Sequence, residues 1–148
     1  MRFKTCSYKS INILEKYSFV PISIEANPPK SYTGVTLPEL APLPFLIKGL
    51  QNGTISKNLF RMLYIKQLDR CNDMSNLILK LLSYGGKICL VSSGGYNELN
   101  HRVILGEWLK RNGCNCKEYG VNKKKRNEEM SGNTDNKTSI HLFPNWDF

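Results

Sequence analysis

The sequence predicts an α/β domain, three layers built around a mainly parallel sheet of four to five strands. Three observations carry this. Two apolar, strand-like runs near the start, RFKTCSY (2–8) and FVPISIE (19–25), flank a short segment of helical spacing, which opens a βαβ unit. The run ICLV (88–91) is continuously apolar, as the buried centre of a parallel sheet requires. That run passes through a turn of glycines and small polar residues into VILGEWLKRNG, a helical pattern.

In the first strand Phe3, Thr5 and Ser7 share a face. Ser10 stands where an N-cap is expected for INILEKY (11–17), in which Ile11, Leu14 and Glu15 are spaced by three and four. The second strand, 19–25, is rich in β-branched residues, with Pro21 near its start, where a missing N–H is tolerated. A strand, a helix and a parallel strand imply a right-handed crossover. Residues 26–44 then hold five prolines in nineteen positions, which excludes regular helix and central sheet. Tyr32, Leu37 and Leu40 predict that this loop packs, and loops of that length in compact domains are usually functional or disordered.

Helical spacing resumes at Phe45 in FLIKGLQ and stops at Asn52-Gly53. Ser56 caps KNLFRMLYIKQLDR, in which Leu59, Met62, Leu63, Ile65 and Lys66 are expected on one broad apolar face, against Lys57, Arg61 and Arg70. Asp73 caps MSNLILKLLSY, ended by Gly85-Gly86, and the strand 87–91 follows. The last helix is expected from about Glu98 to Asn112. Ile104, Leu105, Trp108 and Leu109 form its core stripe, Lys110 and Arg111 suit the negative end of its dipole, and Gly113 stops it. CNCKEYGV (114–121) reads as a final strand. Residues 1–121 are thus one α/β domain, and 122–148 a polar tail with the composition of disorder. The tail ends in IHLFPNWDF, Ile140 to Phe148, which either packs back or docks a protein partner.

The net charge is +9, and residues 1–121 carry 16 Lys and Arg against 8 Asp and Glu, so the domain itself is basic. Such a field favours an anionic small molecule or a nucleic acid as partner, although a basic surface also serves solubility alone. No run approaches the ~20 apolar residues that cross a bilayer, and MRFKTCSYKS lacks the apolar centre of a signal peptide, so a cytoplasmic protein without a membrane partner is expected. The five cysteines show none of the paired spacings of zinc sites and are expected to be free thiols, with no metal and no cofactor.

Ligands of parallel α/β sheets bind beyond the carboxyl ends of the strands. Three segments should meet there: the end of the first strand with Ser7 and Tyr8, the stretch from Glu25 to Tyr32, and SSGGYNELNHR, 92–102. Gly94 and Gly95 permit close backbone approach, while Ser92, Ser93, Asn97 and Asn100 offer short hydrogen-bonding groups. At the helix entry His101 is the candidate acid/base and Arg102 the candidate anion clamp, its planar fork matching phosphate or carboxylate. Alternatively, His101 lies four residues before Leu105 and seven before Trp108, so it also fits as the end of the core stripe. The glycine pair matches neither GxGxxG nor a Walker loop.

These segments carry a resemblance. FVPISIEANPPKSYTGVTLPELAP resembles the second-strand and loop signature of the prokaryotic and phage family called domain of unknown function 488, where a Pro-Ile-Ser-Ile strand leads to Pro-Pro, an aromatic, a glycine and Leu-Ala-Pro. KICLVSSGGYNELNHRVILGEWL is similar to that family's later motif, a strand ending in Cys, then Cys-His-Arg opening a helix with Glu-Trp-Leu. The resemblance spans roughly residues 3–119 and implies a Rossmann-like α/β domain. It also implies two departures, Ser92 at the strand-end cysteine and Asn100 at the cysteine before His101-Arg102. Asn cannot replace a thiolate as nucleophile, so the expectation moves from enzyme towards a binding protein for a nucleotide-like anion or a nucleic acid. An enzyme acting on a phosphorylated or glycosidic nucleotide-type substrate stays open, with His101 as acid/base and Glu25 or Glu98 as carboxylate. So does an interaction module using the C-terminal segment.

Overall fold

A computed structural model describes residues 2–94 and 100–120. Five strands form one parallel sheet: β1 (Arg2–Ser7), β2 (Val20–Ser23), β3 (Val35–Thr36), β4 (Lys87–Ser92) and β5 (Cys116–Glu118), in the order β3-β2-β4-β1-β5. The apolar run after Lys87 is therefore the middle strand, paired on both sides, and Ile88 to Ser92 are all buried. Helices α1 (Ile11–Lys16), α2 (Pro44–Asn52), α3 (Lys57–Cys71), α4 (Met74–Leu82) and α5 (His101–Arg111) join the strands. The chain is an α/β protein.

Strand alternation sorts the interior into two unequal clusters. On one side Phe3, Ile22, Ile88 and Leu90 of the sheet pack against Leu46 of α2, Phe60, Tyr64 and Leu68 of α3, Leu77 and Leu81 of α4, and the α5 stripe of Ile104, Leu105, Trp108 and Leu109. On the other, Cys6, Cys89 and Val91 meet Leu14 of α1 and Phe19. The large cluster supplies most of the hydrophobic stabilisation, at roughly 1.5–3 kcal/mol per buried large apolar side chain.

Several local expectations meet a different geometry. Ser10 makes no capping bond, because the chain enters α1 from a 3₁₀ turn, Tyr8–Ser10, and Ser10 is already near-helical at φ −96° and ψ −2°. The proline-rich crossover is not wholly irregular: Val35–Thr36 adds a strand to β2, at a point where neither residue is proline and both N–H groups remain. α3 buries Phe60, Tyr64, Gln67 and Leu68 beside the expected Ile65, while Met62 and Leu63 are half-buried and Leu59 and Lys66 exposed. α3 is packed between α2 and α5, so its inward stripe follows 60, 64 and 68. Gln67 is drawn inward because its amide bonds the Ala41 carbonyl at 2.7 Å and the Leu43 N–H at 2.9 Å, backbone groups the prolines leave without regular partners. α5 starts at His101, since the Asn100 side chain accepts from the N–H groups of Arg102 and Val103 and fixes the boundary there. The caps by Ser56 and Asp73 and the left-handed Gly53 (φ 80°) and Gly113 (φ 88°) fall where the sequence places them.

Among the described residues no helix is long and apolar enough to cross a membrane, and all five cysteines are free thiols. The expected tail, 122–148, lies outside the described residues.

Candidate functional site

Beyond the carboxyl ends of β2 and β4 lies a cavity of about 600 Å³. Its polar wall is Glu25, Asn27, Ser93, Asn100 and His101 with Lys48 and Gln51 of α2, and its apolar wall includes Ile47, Leu50 and Phe60. Each part has a local cause. Pairing continues one residue past β2, where the Ile24 N–H bonds Val91 O at 3.0 Å, so Glu25 emerges at the rim. The Glu25 carboxylate accepts a short hydrogen bond from the Ser93 N–H, tying the ends of neighbouring strands. α2 begins at Pro44, whose fixed φ suits a first helical position, and its turns bring Ile47, Lys48 and Gln51 to the opening.

His101 is 9% exposed, and its Nε2 lies 3.0 Å from the Ile24 carbonyl. A carbonyl only accepts, so Nε2 carries the proton and Nδ1 holds the lone pair of the neutral ring. Burial lowers the imidazole's pKa from its ordinary value, against the opposing pull of Ile24 O and Glu25, and Arg102 lowers it further. The ring also meets Tyr64 edge-on, with centroids 6.0 Å apart and planes at 85°. Besides filling a core position, His101 borders the cavity.

Arg102 does not. It is 1% exposed and turned to the other side of the helix entry, where Nε reaches the two Glu118 oxygens at 3.1 and 3.0 Å. Nη1 donates to the Ser92 carbonyl and hydroxyl, both at 3.2 Å, and to the Ser93 carbonyl at 3.1 Å. Thr5 adds a 2.8 Å hydroxyl bond to Glu118. The expected anion clamp is instead a buried tie joining α5 to β4 and β5, because its charge is met by a carboxylate from within the fold. Ser92, fully buried, is an acceptor in this tie.

Ser7 pairs with Ser92 in the β1–β4 register and borders neither cavity described here. Tyr8 and Tyr32 line a second hollow of about 460 Å³, with Glu15, Pro21 and Val35. The Tyr8 hydroxyl meets Ser23 Oγ at 2.7 Å, and the Tyr32 hydroxyl donates towards the Val35 carbonyl at 2.5 Å and accepts from the Ser23 N–H at 3.2 Å. Burial pushes the Tyr32 hydroxyl up to about 12. Tyr32 thus fastens the crossover to the sheet edge. Of the predicted set, Glu25, Ser93, Gly94, Asn100 and His101 share one cavity; Gly95, Asn97 and Glu98 lie outside the described residues.

The sequence reading missed Lys48, Gln51 and Glu118. Pro44, Ile47, Lys48 and Gln51 recur at helical spacing, a mixed stripe facing the proline crossover that could have been read as a rim. Glu118 shares a face with the buried Cys116 in β5, and a buried arginine calls for an inward carboxylate.

A parallel sheet with a polar, carboxylate-bearing cavity beside the first turn of its last helix defines an α/β protein with a strand-end site. The family model described as Active DUF488-N3 subclade, DUF488-N3a, matches residues 11–113, and the chain belongs to the domain of unknown function 488 family. No curated protein and no solved structure matches it.

Proposed function

We propose that the chain binds an anionic, nucleotide-like ligand in the β2–β4 cavity. The observation that carries this is the convergence of Glu25, Ser93, Gly94, Asn100 and Lys48 on one hollow with an apolar side. A volume of about 600 Å³ falls in the usual range for small-molecule sites. The carboxylate at the end of a strand neighbouring the strand-turn-helix unit is placed to accept sugar hydroxyls, as acidic residues do in dinucleotide-binding sheets. The N-terminal end of α5 and the Lys48 ammonium favour the phosphate, while Ile47 and Leu50 offer surface to a base. Thermal unfolding with nucleoside mono- and diphosphates, cyclic nucleotides and inorganic phosphate tests it. A ligand at 100 times its Kd adds about 2.7 kcal/mol, and Lys48→Ala should weaken nucleotides more than nucleosides. An unmoved transition at millimolar levels of every compound would refute the reading.

Turnover of the bound nucleotide is a second reading, favoured by the neutral His101 ring and the Glu25 carboxylate on the same cavity. The matched family's description as an active subclade supports it. Glu25→Gln should then remove product formation while binding persists; unchanged turnover excludes the role.

A further inference from the structure

We infer that the face of the sheet opposite the cavity's helices binds the phosphate backbone of a nucleic acid. α1, the one helix packed on this face among the described residues, has six residues and is roughly 9 Å long, whereas a six-residue strand such as β1 runs roughly 20 Å. α1 covers the carboxyl half, where Leu14 meets Cys6 and Val91. The amino half is left to cations. Register places Arg2 beside Lys87 and Lys4 beside Lys117 on adjacent parallel strands, and alternation puts all four on the face of Cys6 and Cys89.

Like charges side by side on neighbouring strands oppose one another, and nothing in the sheet relieves them. None of the four meets a carboxylate among the described residues. Glu15 of α1 borders the second hollow, on the β2–β3 side, and Glu118 is held by Arg102 on the opposite face. Lys4 and Lys87 stretch over the buried Phe19, their ammonium groups 5.8 and 5.7 Å from its ring centre. Lys87 also donates to the Tyr17 carbonyl at 3.2 Å. Their stems lie over the Phe19 ring, and their charged heads remain at the surface with the exposed Arg2 and Lys117.

The partner these charges fit is a repeating polyanion. Four cations spread over three adjacent strands, ~4.8 Å apart, match a chain of phosphates better than one compact anion. Phe19 is covered by the lysine stems, and contacts to phosphates carry no base information, so the binding is independent of sequence. This surface is separate from the cavity and does not depend on its ligand.

The test is fluorescence anisotropy of labelled single-stranded and duplex oligonucleotides with the full chain over 50–200 mM salt. Four phosphate contacts predict a log–log slope of about −3 for single strands, a loss of about 50-fold across that range. Arg2→Gln with Lys117→Gln, both exposed and safe for folding, should halve the slope and lower affinity about 25-fold at 0.1 M salt. Glu25→Gln should leave both unchanged. The inference fails if the paired variant binds as wild type, or if neutralising Lys123, Lys124, Lys125 and Arg126 in the tail removes the binding instead. It also fails if anionic vesicles are bound and oligonucleotides do not compete.

Discussion

Replacing Glu118 by Ala takes away the carboxylate that faces an arginine 1% exposed, and the cost follows from what remains. Arg102 keeps its three bonds to Ser92 and Ser93 through Nη1, but Nε loses both acceptors and the guanidinium loses its counter-charge. Breaking a buried pair in this way costs about 3–5 kcal/mol. Glu118 retains 14% exposure, which lets water reach the vacated position and favours the lower end, about 3 kcal/mol. For a domain of this size that corresponds to a fall in Tm of roughly 10 °C. Equilibrium denaturation of wild type, Glu118→Ala, Arg102→Met and the double variant forms the measurement. The double variant should recover a large part of the single loss, because two apolar side chains leave no stranded charge. Ligand affinity at the cavity should fall together with stability. A loss below about 1 kcal/mol for Glu118→Ala, or tighter nucleotide binding in that variant, would refute the argument, since it would mean that Arg102 leaves the interior and acts as a clamp.

His101 makes stability depend on pH, because its folded pKa lies below the unfolded value near 6.5. The unfolded chain therefore binds a proton that the folded chain refuses, and stability falls as pH drops from 6.5 towards the lowered folded pKa, by up to about 1.4 kcal/mol per unit; acid titration of urea midpoints checks this, and His101→Phe should flatten that window. Gly49→Ala should destabilise by about 1–3 kcal/mol by thermal melting, because the new Cβ collides with the Ile55 side chain on α2's inner side.

The fold was legible wherever a single physical rule decided the outcome. The continuous apolar strand 87–91, the α5 stripe and the two side-chain caps follow from burial and orphan N–H groups alone, and all stand where the sequence places them. The α3 face was not legible, because Leu59, Met62 and Leu63 compete with Phe60 and Leu68 and the position of α2 and α5 decides between them. β3 was hidden by the proline-rich composition of the crossover, in which only the two residues Val35 and Thr36 pair. That Glu25, Ser93 and His101 line one cavity follows from local features, strand ends and a helix entry. The direction of Arg102 depends on Glu118, sixteen residues away, and on a register that only the assembled sheet supplies.

The buried arginine still bears on the cavity at one remove. Nη1 holds the carbonyls of Ser92 and Ser93, and that fixes the peptide planes at the end of β4. With its carbonyl directed inward to Arg102, Ser93 is left with its N–H as the group it offers to Glu25. His101, the preceding residue, secures Ile24 and so the backbone immediately before Glu25. The adjacent pair at the start of α5 therefore locks the two strand ends from opposite sides of the sheet end, one by ion pairing in the interior and one by a single hydrogen bond. A carboxylate held in this way loses little further freedom when it accepts a ligand's hydroxyls, which is how the rigid network beneath the cavity contributes to binding without touching the ligand.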